Sequence, residues 1–197
     1  MKKWIVLLLL GAGIWLWQHE PAAKWRGIPA ARDPVQTATR LPPAFQQGDY
    51  TITPLARYEI KAVVLSRKRY RYDDAAPFCP VDLALGWGPL STAVVINDLN
   101  ISQSGRWYEY TWSGDPPLDP AQINAHSANT HCLPSSPAIR KQLLAVRRHD
   151  IVTLEGFLVE VAGPKNRRWR SSLSRTDTRG GTCEILWITA IASTPIN

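Results

Sequence analysis

The stretch Ile151–Val161 reads IVTLEGFLVEV. β-Branched and aromatic residues dominate it, Glu155 and Glu160 are its only charges, and Gly156 interrupts it at the middle. That composition predicts one long strand, with a bulge or bend at the glycine. Downstream, Cys183–Ile191 (CEILWITAI) predicts a second strong strand and Trp169–Ser174 a weaker one. Upstream lies the clearest helix: Ser136 suits the cap, Pro137 the first helical position, and Ile139, Leu143 and Val146 recur at helical spacing. Arg147, Arg148 and His149 complement its C-terminal end. A shorter helix is expected from Asp119, with Pro120 in its first turn. Before these, Tyr58–Val64 (YEIKAVV) and Val81–Trp87 (VDLALGW) alternate as half-buried strands do. Arg106–Trp112 (RWYEYTW) has strand composition throughout. Three strand regions, a helix, then two or three strands is the order of an oligonucleotide- or oligosaccharide-binding barrel. The expected fold is therefore mainly β (α+β): a small antiparallel, OB-like β-barrel with one inserted helix. A β-sandwich is the alternative.

The whole chain has 197 residues and a net charge of +7, with 45% hydrophobic and 20% charged residues. Those fractions exclude wholesale disorder, collagen and coiled coil, and the length suits one domain. Nine Trp and sixteen Pro fit a turn-rich β body better than a helical bundle.

The N-terminus bears on location. Lys2 and Lys3 precede a charge-free run from Trp4 to Trp17. A basic start and a short apolar core make an export signal. Trp4, Trp15 and Trp17 sit where interfacial aromatic belts belong, and the small-residue cleavage site is poor, which favours an uncleaved anchor. Residues 1–18 are thus expected to be a signal anchor, a single transmembrane helix in a bacterial inner membrane, with the C-terminal domain in the periplasm. Residues 19–48, rich in Pro and Ala, follow as a stalk, 49–192 as the extracytoplasmic β domain and 193–197 as a tail. Residues 1–40 hold six of the 23 basic and two of the 16 acidic residues, leaving only +3 on the remainder. The surplus positive charge therefore belongs near lipid head groups, and nucleic acid ranks last among partners.

Cys79, Cys132 and Cys183 are few and odd in number; one disulfide and one remaining thiol is the simplest arithmetic in an oxidising compartment. His126-Ser127-Ala128-Asn129-Thr130-His131-Cys132 is the densest polar cluster. Its two histidines lie five apart, on different faces of a helix, so a shared site would need a loop. No CxxC or HExxH accompanies them, and the segment is read as a ligand-binding loop without metal or cofactor. Ser171–Thr178 is the second cluster, in which Arg175 and Asp177 either grip a planar anion or form an internal ion pair. Trp87, between Gly86 and Gly88, adds an aromatic surface on a turn, with Trp107 as another candidate ring. The expected ligand-binding set is His126, Ser127, Asn129, His131, Arg175, Asp177 and Trp87. Two further clusters, Arg67–Tyr72 (RKRYRY) and Arg167–Arg170 (RRWR), interleave cations with aromatics.

The segments Pro80–Pro89 (PVDLALGWGP), His126–Asn129, Val152–Val159 and Ser171–Asp177 resemble a family of uncharacterised, exported bacterial proteins. The resemblance spans roughly Tyr50 to Ile188. It implies an envelope setting and carries no activity. With GxSxG, SxxK, the P-loop and GxGxxG all absent, no catalytic residue is assigned. The expected function is a membrane-anchored periplasmic binding or assembly module with an envelope protein partner. The alternatives are a periplasmic hydrolase using His126, His131 or Cys183, and an OB-like barrel that binds single-stranded nucleic acid or glycan.

Overall fold

The computed structural model describes residues 24–164, 167–174 and 183–195. The expected membrane segment, Arg175, Asp177 and the last two residues lie outside them. Among the described residues no helix is long and apolar enough to cross a membrane.

The body is mainly β. In chain order it contains β1 (Val35–Thr37), β2 (Phe45–Gln47), β3 (Tyr50–Arg69), β4 (Val81–Gly86), α1 (Ala93–Asp98), β5 (Asn100–Ser104), β6 (Trp107–Thr111), α2 (Pro120–Ala125), β7 (Ser127–Pro134), α3 (Pro137–Ala145), β8 (Ile151–Ala162), β9 (Arg168–Arg170) and β10 (Glu184–Thr194). One large mixed sheet runs β1-β3-β4-β7-β10-β8-β9, with β2 also on β3, while β5 and β6 form a separate hairpin. β3 additionally pairs with β8 from Thr51↔Ala162 to Val63↔Ile151. Following the pairings β3-β4-β7-β10-β8 therefore leads back to β3. The β7–β10 pair is parallel and the other four are antiparallel.

Strand alternation sorts the core. Tyr58, Ile60, Ala62 and Val64 of β3 meet Val81, Leu83 and Leu85 of β4, Cys132 of β7, Leu154 and Leu158 of β8, and Leu186 of β10. α3 lays Leu143 on this cluster; Ser136 caps it by accepting a hydrogen bond from the Ile139 N–H at 3.2 Å, as the sequence predicts. β4 is buried along its whole length, because a second apolar layer covers its other face. Ala84 there packs with Leu90, Val95, Ile96, Ile101 and Ile123, supplied by the long β4–β7 connection. β3 turns from β8 towards β4 through register shifts between Pro54 and Ala56 and between Val64 and Ser66. Such bulges bend a strand and raise its twist.

Expectations differ from the structure in several places. The sheet is mixed and not antiparallel, because β7 and β10 run parallel, and the described residues contain three α-helices where one inserted helix was expected. The segment read as a stalk is tied to the body from Trp25 onward: the Trp25 indole donates to the Ser91 carbonyl at 2.8 Å, Ala30 is buried, and β1 and β2 pair with β3. These attachments are single residues and three-residue strands, too short to show a period. The aromatic run at 106–112 does form the expected strand, β6, but it pairs in a separate hairpin with β5 and not in the main sheet, across the two-residue turn Gly105–Arg106 with φ of 55° and 68°. Turns of that hand suit the strand twist of a hairpin. None of the three cysteines is in a disulfide.

Gly156 lies where β8 is flanked by both neighbours, opposite Tyr58 of β3 and Ile188 of β10. A Cβ there would stand 1.9 Å from the Trp187 carbonyl oxygen, so the glycine admits a close backbone approach, and the bulge itself falls in β10 between Ile188 and Ala190. Gly156→Ala should lower stability by about 3 kcal/mol, the upper range for overpacking. Urea unfolding measures it, and an unchanged midpoint would contradict the close approach.

Candidate functional site

Alternation in β4 turns Val81, Leu83 and Leu85 to the core, leaving Asp82, Ala84 and Gly86 on the opposite face. In β7 the same period puts Ser127, Asn129 and His131 together. Register then sets Asp82 opposite His131, Ala84 opposite Asn129 and Gly86 opposite Ser127. The polar cluster expected as a loop is therefore mostly strand: Ala128 and Cys132 go inward and the polar side chains share the other face.

Asp82 is fully buried and His131 is 3% exposed. The Asp82 Oδ2 and His131 Nδ1 atoms are 3.0 Å apart, yet they face each other off the hydrogen-bond axis and neither has another hydrogen-bond partner. The Cys79 thiol lies 3.5 Å from Asp82 Oδ1. Trp169 covers the imidazole, with ring centroids 4.4 Å apart.

The charge that meets Asp82 comes from the hairpin turn. All five guanidinium donors of Arg106 are used: Nε and Nη2 grip both Asp73 oxygens at 3.0 and 2.8 Å, Nη1 reaches Asp82 Oδ1 at 3.0 Å and Cys79 Sγ at 3.1 Å, and Nη2 also reaches the Cys79 carbonyl at 3.0 Å. The group also stacks 4.0 Å above the Tyr70 ring. Burial pulls the Arg106 pKa down, but the hydrogen bond to Asp73 and the charges around it more than offset this and hold it above the ordinary value. Burial, then the negative charge of Asp82, pushes the Tyr70 hydroxyl up to about 12. The same two causes, in the same order, push the thiols of Cys79 and Cys132 well above their ordinary value, so both stay neutral. Three more contacts pin the hairpin to the β4–β7 face: Gln103 donates to Asn129 at 2.8 Å, Asn129 donates to the Arg106 carbonyl at 2.9 Å, and the Tyr108 hydroxyl bonds to Ser127 at 2.7 Å.

The other sequence candidates scatter. His126 ends α2, its Nδ1 2.8 Å from the Gln122 carbonyl and its ring against Gly88. Trp87 is a core residue, 1% exposed, with its indole N–H donated to Asp33 at 3.1 Å, so its ring faces the interior and not a ligand; Trp107 is half exposed. Cys183 Sγ lies 3.8 Å from Asn129 Nδ2. Of the two cation–aromatic clusters, the second is ion-paired: Arg168 and Arg170 share Glu160, and Arg167 pairs with Asp74. Sequence reasoning missed Cys79, Asp82, Arg106, Asp73 and Tyr70. Asp82 alone left a signal, as the one charge in an otherwise apolar strand.

Beside the hairpin opens a cleft of about 1320 Å³. Its lining includes Arg67 and Lys68 from the end of β3 and Arg147, Arg148 and His149 from the turn before β8. That turn is held to β3 by His149 N–H to Val64 O at 2.7 Å and Val64 N–H to Asp150 O at 2.9 Å. The lining also includes Asn97, Asp98, Asn100, Trp112 and Asp115. Among the described residues no carboxylate forms an ion pair with Arg67, Lys68 or Arg147. Arg67 reaches the Leu144 carbonyl through Nη2, but its buried Nε has no partner.

No family model, curated protein or solved structure matches the chain.

Two predictions follow from the Arg106 clamp. Arg106→Ala leaves Asp82 buried without its cation and should cost about 3–5 kcal/mol, the range for removing one partner of a buried pair. Arg106→Lys should recover only part of it, since an ammonium cannot bridge two carboxylates as the planar fork does; full recovery in denaturant unfolding would refute the bidentate role. The Asp73 carboxyl sits below its ordinary range: burial alone would raise it, but the hydrogen bonds and charge of Arg106 outweigh that. Its contribution is therefore complete above the unfolded value near 3.9 and fades as pH falls through the lower folded value. Asp73→Asn should flatten the acid limb of a stability–pH curve below about pH 4 and leave its neutral slope unchanged.

Proposed function

We propose that this chain is a membrane-tethered extracytoplasmic binding module, built on an OB-type barrel, whose ligand is an acidic linear molecule held in the cleft beside the hairpin. The single observation that carries the ligand class is the cleft lining, in which Arg67, Lys68 and Arg147 have no ion-paired carboxylate among the described residues. Partly desolvated guanidinium groups favour carboxylate, sulfate or phosphate groups, and they do so bidentately.

The barrel reading is supported by the ring of pairings β3-β4-β7-β10-β8 and by α3 following its third strand. A ring of five strands cannot alternate direction throughout, so one parallel pair is required, and β7–β10 supplies it. Barrels of this type bind along their second and third strands. Here those are β4 and β7, and the β5–β6 hairpin occupies their face. The open cleft at the hairpin's flank is a concave surface of suitable size. The membrane tether rests on the charge-free run Trp4–Trp17 and on the basic residues around it.

Two alternatives receive less support. A cysteine hydrolase needs a thiolate beside a histidine, but Cys79, whose thiol lies within 4.8 Å of His131, is fully buried and held neutral. Nucleic acid is disfavoured because every arginine of the Arg167–Arg170 cluster is already engaged with a carboxylate.

Binding of a heparin-derived oligosaccharide, a neutral maltooligosaccharide and a single-stranded oligonucleotide to the full chain, followed by calorimetry, tests this. The acidic glycan should bind, weaken with added salt, and lose about tenfold in affinity with each of Arg67→Ala and Arg147→Ala, the equivalent of one ion pair. No binding at low salt, unchanged affinity in the double variant, or tighter binding of the oligonucleotide would each overturn the reading.

A further inference from the structure

The cluster beneath the hairpin carries a second proposal, independent of the ligand in the cleft. We propose that Cys79, Asp82 and His131 form a binding site for a divalent transition-metal ion of the zinc class. The donors are one Sγ, one carboxylate oxygen and one imidazole nitrogen, all buried, and all lie within 4.8 Å of one another.

Three observations point to a cation here. Asp82 Oδ2 and His131 Nδ1 are buried, 3.0 Å apart, and without a hydrogen-bond partner. Polar atoms this deep cost free energy unless something satisfies them. Second, the surrounding groups already orient the donors. Arg106 takes Asp82 Oδ1 at 3.0 Å, which leaves Oδ2 available, and it donates to Cys79 Sγ at 3.1 Å, which favours thiolate once a metal arrives. Third, Asp73 and Asp82 oppose a single cation, Arg106, so these side chains leave one negative charge. A divalent ion bound to one thiolate, one carboxylate and a neutral imidazole makes the whole group neutral.

The ligand chemistry selects the class. Thiolate and imidazole suit zinc, cobalt or copper and exclude magnesium and calcium, which prefer all-oxygen shells. Bonds of about 2.0–2.3 Å in a tetrahedron separate donors by roughly 3.3–3.8 Å, within reach of the present arrangement. The fixed register Asp82↔His131 supplies two donors from rigid strands, and Cys79 precedes β4 by two residues. Three protein donors leave the fourth position to water. On binding, the Cys79 proton leaves to solvent and the sulfur pair forms the bond to the metal.

Cobalt titration of the tag-free, chelator-stripped full chain tests the site. A thiolate-to-cobalt charge-transfer band and the visible bands of tetrahedral cobalt should grow and saturate at about one equivalent, and zinc should abolish them. Cys79→Ser should remove the charge-transfer band, His131→Ala should weaken binding by about a hundredfold or more, and Cys183→Ser should change neither. No band with excess cobalt would mean that Asp82 and His131 are an ordinary buried pair, and a band that survives Cys79→Ser would put the metal elsewhere. The wild-type titration decides the first point even if a variant fails to fold.

Discussion

A carboxylate withdrawn from water inside a β body must find its compensation within a few ångströms, and Asp82 sets that requirement for this protein. It sits on a strand buried on both faces, where desolvating an ion costs several kcal/mol. The cation that answers it comes from the tip of the β5–β6 hairpin, 24 residues away, and is held in turn by Asp73. The position of the hairpin and the packing of Tyr70 depend on this arrangement. Ala84 and the apolar layer above it become core only because the hairpin and its flanking helices are held there.

The same constraint shapes the exposed surface. With the hairpin drawn onto β4 and β7, the flank beside it is left as a cleft, and the end of β3 and the turn before β8 line that cleft with cations. Basic residues that look alike in the chain thus separate by role. Arg168 and Arg170 are consumed by Glu160 and Arg106 by Asp73 and Asp82, while Arg67, Lys68 and Arg147 face the cleft without a paired carboxylate among the described residues.

Local signals in the chain were read well where they were local. The long strand around Gly156, the Ser136–Pro137 helix start, the short helix from Asp119 and the strong strand after Cys183 all follow from side-chain period and turn chemistry, and each is present in the structure. The reading failed where partners are distant. Residues 24–48 lack a period because they hold on through isolated anchors such as Trp25 and Ala30. Two histidines five residues apart suggested a loop; they separate instead because His126 ends a helix while His131 lies within a strand. Trp87, flanked by glycines, looked displayed and is in fact core, since the glycines let the backbone pass close to Leu65 and His126.

By itself the sequence determined which segments extend, which coil and where most turns fall, because those preferences are settled by neighbours within a few residues. It also marked an apolar N-terminus and an excess of charge beside it, properties of composition alone. Only the tertiary structure decided which polar residues share a site. Pairing Asp82 with His131 required the register of two strands more than forty residues apart, and bringing Arg106 to Asp82 required a hairpin to fold over them. Register and docking are set by the packing of the whole core, which no single stretch of the chain contains.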